Sequence, residues 1–128
     1  MRYIKFLPIA VLIFASAGCS NPQGSGTPKS AACPAIAGTV TVELNDGNFN
    51  PEITTVKKCT EVVFKNVGKQ AHWPASDFHP THGIYPEFDP LKNVEPGQSW
   101  SFVFDRTGKW HYHDHLFPAI TGTVEVTE

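Results

Sequence analysis

From Gly38 to the end of the chain, apolar residues recur at every second position in short runs, and turn residues separate the runs. The clearest runs lie at residues 39–44, 61–65, 99–104, 109–112 and 123–126. A period of two puts successive side chains on opposite faces of a β-strand, whereas no stretch shows the 3.6-residue period of an amphipathic helix. The pattern therefore predicts one all-β domain over residues 38–128, an antiparallel β-sandwich of about seven or eight strands with no helix longer than about three turns.

The N-terminal residues 1–18 have a different character. Arg2 and Lys5 precede an apolar stretch, and small residues then lead to Cys19. This order is typical of a secretory signal peptide, and the apolar stretch is too short to span a membrane. The ending Ser16-Ala17-Gly18-Cys19 also resembles a bacterial lipobox, with Ser16 where leucine is usual. We therefore expect an exported protein that a lipid on Cys19 anchors to the cell-envelope membrane, on its periplasmic or extracellular face. The alternative is ordinary cleavage that leaves Cys19 free.

The segment that follows the predicted signal peptide is expected to be a tether. Residues 19–37 are rich in Ser, Gly, Pro and Ala and have no period, which is typical of a flexible linker. The chain has three cysteines, and an odd number leaves one cysteine unpaired in an oxidising compartment. If Cys19 carries lipid, Cys33 and Cys59 remain, and we predict that they form a disulfide.

The charged residues bear on the class of partner. The chain has 10 Lys and Arg against 12 Asp and Glu, and the basic residues form no cluster beyond residue 18. Domains that bind nucleic acid usually carry a basic patch, so we expect no nucleic-acid partner. We expect contact with a membrane only through the N-terminal lipid.

The six histidines form two groups. His72, His79 and His82 lie in residues 66–95, a long segment with little alternation, and the others follow one predicted strand and its exit: His111, His113 and His115. Imidazole is the commonest protein ligand for copper and zinc, so this clustering predicts a metal site. The alternative for the second group is a solvent-facing strand surface with no ligand role.

Several short segments carry a family resemblance. In the first half they are Phe49-Asn50-Pro51, Thr55-Val56-Lys57-Lys58, Val62-Val63-Phe64-Lys65-Asn66 and His72. In the second half they are Pro96-Gly97, Trp100 to Phe104, Thr107-Gly108-Lys109-Trp110-His111-Tyr112-His113 and Gly122-Thr123-Val124-Glu125-Val126. Over residues 38–128 the chain resembles the cupredoxins, small copper proteins similar to plastocyanin. The resemblance implies a Greek-key β-sandwich with a metal site at one end.

The resemblance also implies where the metal ligands fall. The upstream histidine ligand of the family corresponds to His72. The downstream cysteine, histidine and methionine positions hold Asp114, Phe117 and Ile120, and the chain's single methionine is Met1. Because the intense blue colour of such proteins comes from a copper–thiolate bond, we expect a site of nitrogen and oxygen ligands instead.

We predict that this site lies where the last histidine-bearing strand ends. The candidate ligands, in order of preference, are His72, Asp114, His115, then His82 or His79, and finally His113. The last is least favoured because strand alternation points it away from the interior. Copper is the expected metal, with zinc or iron as alternatives.

Three functions are compatible with such a domain. The first is copper binding for storage, delivery, sensing or redox in the cell envelope, with a redox or copper-transport protein as partner. The second is a mononuclear metal enzyme, redox or hydrolytic, with an open coordination position. The third is a metal-free interaction module on the same scaffold. No nucleophile motif or phosphate-binding glycine loop is present in the sequence, so any chemistry would belong to the metal.

Overall fold

The structure is a computed structural model that describes residues 32–128, so the predicted signal peptide, Cys19 and most of the tether lie outside the described residues. The described chain forms eight β-strands, which are β1 (Gly38–Asn45), β2 (Asn48–Asn50), β3 (Ile53–Lys57), β4 (Thr60–Asn66), β5 (Pro74–Ser76), β6 (Ser99–Phe104), β7 (Gly108–Asp114) and β8 (Thr121–Thr127). Within this range no helix is long and apolar enough to cross a membrane.

The strands form two four-stranded sheets. One has the order β2-β1-β4-β6 and the other has the order β3-β8-β7-β5. The pairs β1–β4 and β3–β8 are parallel, and the other pairs are antiparallel. The predicted all-β sandwich is confirmed, with these two parallel pairs as a detail that the alternation of residues does not reveal.

The two sheets bury the apolar faces that the alternation predicts. Val42 and Leu44 of β1 and Val62 and Phe64 of β4 are fully buried. From the second sheet, the Tyr112 ring of β7 stacks on Phe49 and meets Phe64 edge-on, with ring centroids 4.9 and 5.5 Å apart. These aromatic contacts fill the space between the sheets.

The long segment between β5 and β6 is folded against the sandwich. It contributes Tyr85 and Phe88 to the hydrophobic core. The Ser76 hydroxyl lies 2.9 Å from the His82 carbonyl oxygen and 3.0 Å from that of Tyr85, so its proton can be shared between them. The Ser76 amide donates to the Phe88 carbonyl. This set of bonds fixes residues 77–88 beside the edge strand β5, and thereby fixes two of the histidines.

A disulfide closes the end of the sandwich where β4 begins. Cys33 and Cys59 are bonded, as predicted, across a sequence separation of 26 residues. The Cys59 amide also donates to the carbonyl of Phe104, the last residue of β6. Strand β7 starts at this end and finishes at Asp114 at the opposite end.

Replacing both cysteines with serine should lower the free energy of unfolding by about 3.5 kcal/mol, because the cross-link restricts a loop of this length in the unfolded chain. Urea denaturation of the metal-free domain measures the change. Metal binding should be unaffected, because the disulfide and Asp114 lie at opposite ends of β7. An unchanged denaturation midpoint would contradict the structural role of the bond.

Candidate metal centre

The end of strand β7 presents side chains alternately to the core and to the outer face of its sheet. Tyr112 and Asp114 point inward and are buried. His113 therefore points outward, as strand alternation predicts. It is nevertheless only 2% exposed, because residues 77–82 cover this part of the outer face. The loop thus converts a surface position into an enclosed one.

Four histidines converge on this covered face. One potential ligand atom from each of His79, His82, His113 and His115 lies within 4.8 Å of all the others. Nδ1 of His79 is 3.3 Å from Nε2 of His113, and Nε2 of His82 is 3.0 Å from Nδ1 of His115. We call these four residues the histidine cluster.

Two aspartates orient two of the rings. The Asp77 carboxylate lies 3.0 Å from Nδ1 of His113, and the Asp89 carboxylate lies 2.6 Å from Nδ1 of His82. A carboxylate accepts the Nδ1–H proton and thereby fixes the tautomer in which Nε2 carries a free lone pair. Both Nε2 lone pairs then face the cluster, which is the usual arrangement of metal-binding histidines and their carboxylate partners.

The other two rings face the cluster through the opposite nitrogen. His79 and His115 present Nδ1, and each can donate an Nδ1–H to the lone pair that it faces. When a metal binds, the same two nitrogens would supply lone pairs, and the protons would move to Nε2. Because His79 is exposed and His115 is half-buried, solvent can satisfy Nε2–H in both rings.

The surroundings favour the neutral form of two rings in the cluster, His113 and His115. Burial lowers the pKa of His113, with His82 and His79 adding to the effect and Asp77 opposing it. Burial together with the other three rings also lowers the pKa of His115. Burial raises the pKa of Asp89, but hydrogen bonds from the Leu91 amide, His82 and Trp73 outweigh it, so the net pKa lies below the usual value. Neutral rings beside an ionised carboxylate are the states that metal binding requires.

Trp73 joins two members of the cluster. Its indole Nε1–H donates to Asp89 at 2.7 Å, and its ring packs against His115 with centroids 4.8 Å apart. Its backbone carbonyl accepts the amide of His115 at 2.8 Å. Trp73 therefore supports His82 through Asp89 and contacts His115 directly.

His72 and Asp114, the first two predicted ligands, form a separate pair on the inner side. Nδ1 of His72 lies 2.5 Å from the Asp114 carboxylate, and both side chains are fully buried. The carboxylate also accepts the amides of Trp73 at 3.1 Å and Leu116 at 2.9 Å. Nε2 of His72 is buried without a hydrogen-bond partner among the described residues, and Asp46 lies 3.6 Å away.

The predicted site residues thus separate into two groups on the two faces of one strand. The inner group is His72 with Asp114, and the outer group is the histidine cluster. A ligand role for the inner pair stays a prediction that these contacts do not test. The exposed His111 belongs to neither group; its Nδ1 lies 3.0 Å from the Thr123 hydroxyl.

Sequence reasoning missed Asp77 and Asp89, since no spacing rule connects a loop carboxylate with a distant ring.

Solved structures resemble this sandwich, while no protein-family model and no curated protein sequence matches the chain significantly. A purple cupredoxin from Nitrosopumilus maritimus aligns with a TM-score of 0.61 and 19% identity, over 69% of this chain and 99% of that chain. A reduced amicyanin mutant aligns with a TM-score of 0.62 and 21% identity, over 79% and 96% of the two chains. A copper-containing nitrite reductase from Thermus scotoductus aligns at 0.61 and 21% identity over 70% of this chain, but over only 22% of its own.

The chain has the cupredoxin fold. No free thiolate is present among residues 32–128, because Cys33 and Cys59 are bonded to each other. The histidine cluster does fit a metal ion. In a tetrahedral shell, metal–imidazole bonds of about 2.0–2.1 Å place the ligand atoms roughly 3.3–3.4 Å apart, so a pair 4.8 Å apart would have to approach by about 1.4 Å.

Replacing Asp114 with alanine should lower the free energy of unfolding by about 3 kcal/mol or more, because His72, Trp73 and Leu116 lose one shared buried acceptor. Asparagine keeps the shape and one acceptor oxygen, so Asp114→Asn should cost clearly less. Urea denaturation of the metal-free domain compares the two variants. Equal stability of the alanine variant and the wild type would contradict this role of the carboxylate.

Proposed function

We propose that this protein binds one copper ion through His79, His82, His113 and His115 and serves in copper handling or electron transfer in the cell envelope. The observation that carries the proposal is the convergence of four imidazole nitrogens, with two of the rings oriented by partly buried contacts to carboxylates. This ligand set replaces His72 and Asp114, the first two predicted ligands. It retains His115, His79, His82 and His113, the other histidines that the sequence predicted as ligands.

The ligand chemistry favours copper over the alternatives. At sites of nitrogen donors, Cu(II) heads the affinity order of the divalent first-row metals. Zinc also accepts imidazole, whereas iron sites usually include a carboxylate ligand, and here the carboxylates contact rings rather than the cluster centre. The solved structures with the same fold include proteins whose descriptions name copper, which supports the same choice.

The chain's own residues would hold the ion and set its surroundings. Asp77 and Asp89 keep His113 and His82 in the tautomer whose Nε2 lone pair can bind a metal. Their two negative charges would offset the two positive charges of a divalent ion. Trp73 packs against His115 and limits the approach of water on that side. Copper bound here would supply one-electron redox chemistry between Cu(II) and Cu(I), without the copper–thiolate bond that gives blue sites their colour.

A metal enzyme is the less favoured function. Hydrolytic zinc sites use three protein ligands and keep a fourth position for water or substrate. The cluster offers four imidazoles, which would fill a tetrahedral shell. A metal-free interaction module leaves the convergence of four imidazole rings and two orienting carboxylates without an explanation.

The proposed location is the cell envelope, with the domain tethered through lipid on Cys19. The order of a basic start, an apolar segment and a lipobox-like ending supports this location. The disulfide fixes the start of the domain at the end of β7 that is remote from Asp114. Because six residue steps of a strand span about 20 Å, a tether leaving from Cys33 would let the histidine cluster face away from the membrane.

Purified wild-type protein should bind one equivalent of Cu(II), detected by isothermal titration and by electron spin resonance. The visible absorption should be weak, because no thiolate contributes an intense band. His113→Ala should lower the affinity by at least about 100-fold, since the ring is both oriented and enclosed.

His111→Ala is the matched control, because His111 lies on the same strand but is exposed and contacts Thr123. It should leave the affinity and the spectrum unchanged. Equal affinities of the His113 variant and the wild type, in protein that remains folded by circular dichroism, would refute the proposed ligand set.

A further inference from the structure

The four members of the histidine cluster are not held equally. His82 and His113 are 6% and 2% exposed, and each has an aspartate on its Nδ1. His115 is half-buried and packs against the Trp73 ring, and its backbone amide donates to the Trp73 carbonyl. His79 is exposed, and within residues 32–128 no carboxylate hydrogen-bonds to its ring.

His79 also lies in the outermost part of the loop. It follows Phe78, whose side chain is 68% exposed, and precedes the exposed Pro80. The amides of Thr81 and His82 both donate to the Phe78 carbonyl, so this short turn anchors the backbone of His82. The His79 ring reaches the cluster through Nδ1, which is 3.3 Å from Nε2 of His113.

We propose that His79 is an exchangeable ligand: His82, His113 and His115 stay bound to the metal, and an external imidazole can displace His79 from the fourth position. The proposal rests on the copper site proposed above and specifies which of its positions an incoming ligand uses. In the exchange one metal–nitrogen bond breaks and another forms, with no change in charge or oxidation state. The external imidazole takes the place of the His79 ring on the solvent side.

The difference in support between the rings gives the physical reason. A ring that is already oriented by packing and hydrogen bonds loses little conformational freedom when it binds the metal. Its net contribution to the metal affinity is therefore larger. The exposed His79 ring has no carboxylate partner among the described residues, so it loses more conformational freedom on binding and its net contribution to the affinity is smaller. Loss of His79 should therefore weaken copper binding much less than loss of His113.

Charge and access determine which ligand can replace His79. Asp77 and Asp89 together offset the two charges of a divalent ion, so a neutral donor completes the shell without adding charge. Removing the exposed His79 side chain opens the cluster to solvent, whereas the place of His113 stays covered by residues 77–82. A free imidazole, or a histidine side chain of a protein that receives the metal, can reach the position left by His79 but not the one left by His113.

The test compares His79→Gly and His113→Gly in otherwise unchanged protein, with copper affinity and the electron spin resonance spectrum as the readouts. His79→Gly should still bind one Cu(II), with an affinity lowered by no more than about 10-fold and a changed spectrum. Millimolar imidazole should bring that spectrum back to the wild-type form. His113→Gly should lose about 100-fold or more in affinity and should not respond to imidazole.

The outcomes separate the two proposals. If His79→Gly is folded but binds copper as poorly as His113→Gly, and imidazole restores nothing, His79 is a fixed ligand and the exchange is refuted while the copper site stands. If both glycine variants bind copper as the wild type does, the histidine cluster is not the copper site. His79→Gln, which preserves the bulk of the side chain, repeats the comparison should glycine disturb the turn, and it should likewise retain most of the affinity.

Discussion

The end of this domain that carries the histidine cluster depends on the buried carboxylate of Asp114. It accepts hydrogen bonds from the His72 ring, the Trp73 amide and the Leu116 amide, all within 3.1 Å. These bonds tie the exit of β7 to the chain before β5, and no other described group takes up the same donors. Since burial of donors without an acceptor costs free energy, the carboxylate fixes both segments at once. The positions of Trp73 and His115 follow from this arrangement.

Strand alternation then separates two environments on either side of β7. The inward residue Asp114 closes the interior, and the outward residues His113 and His115 take part in the histidine cluster. The loop that carries His79 and His82 lies over that outer face because Ser76 holds its backbone by hydrogen bonds. The position that the family resemblance assigns to metal thus holds the hydrogen-bonded pair of His72 and Asp114, and the histidine cluster lies on the opposite face of the same strand.

Much of the fold could be predicted from the sequence because it depends on a local pattern. The alternation at Val42 and Leu44, and again at Val62 and Phe64, identifies buried strand faces without any knowledge of the partner strand. The pairing of Cys33 with Cys59 followed from counting cysteines. The parallel pairing of β1 with β4 could not be predicted, because nothing in either strand's sequence indicates the direction of the neighbouring strand.

The site could be predicted only in part. The sequence identified all four histidines of the cluster, but it ranked His113 last because alternation alone says that the ring points outward. Its burial depends on residues 77–82 folding over the strand, and that segment has no period from which its path can be inferred. The contacts of Asp77 and Asp89 with ring nitrogens could not be predicted for the same reason, since they form only when the loop packs against the strand.

The most direct test of the central claim is a crystal structure of the copper-loaded protein, with anomalous diffraction recorded on both sides of the copper absorption edge. The account predicts one copper peak on the outer face of β7, bonded to Nε2 of His82 and His113 and to Nδ1 of His115, with His79 on the solvent side. A copper peak beside His72 and Asp114 would contradict it.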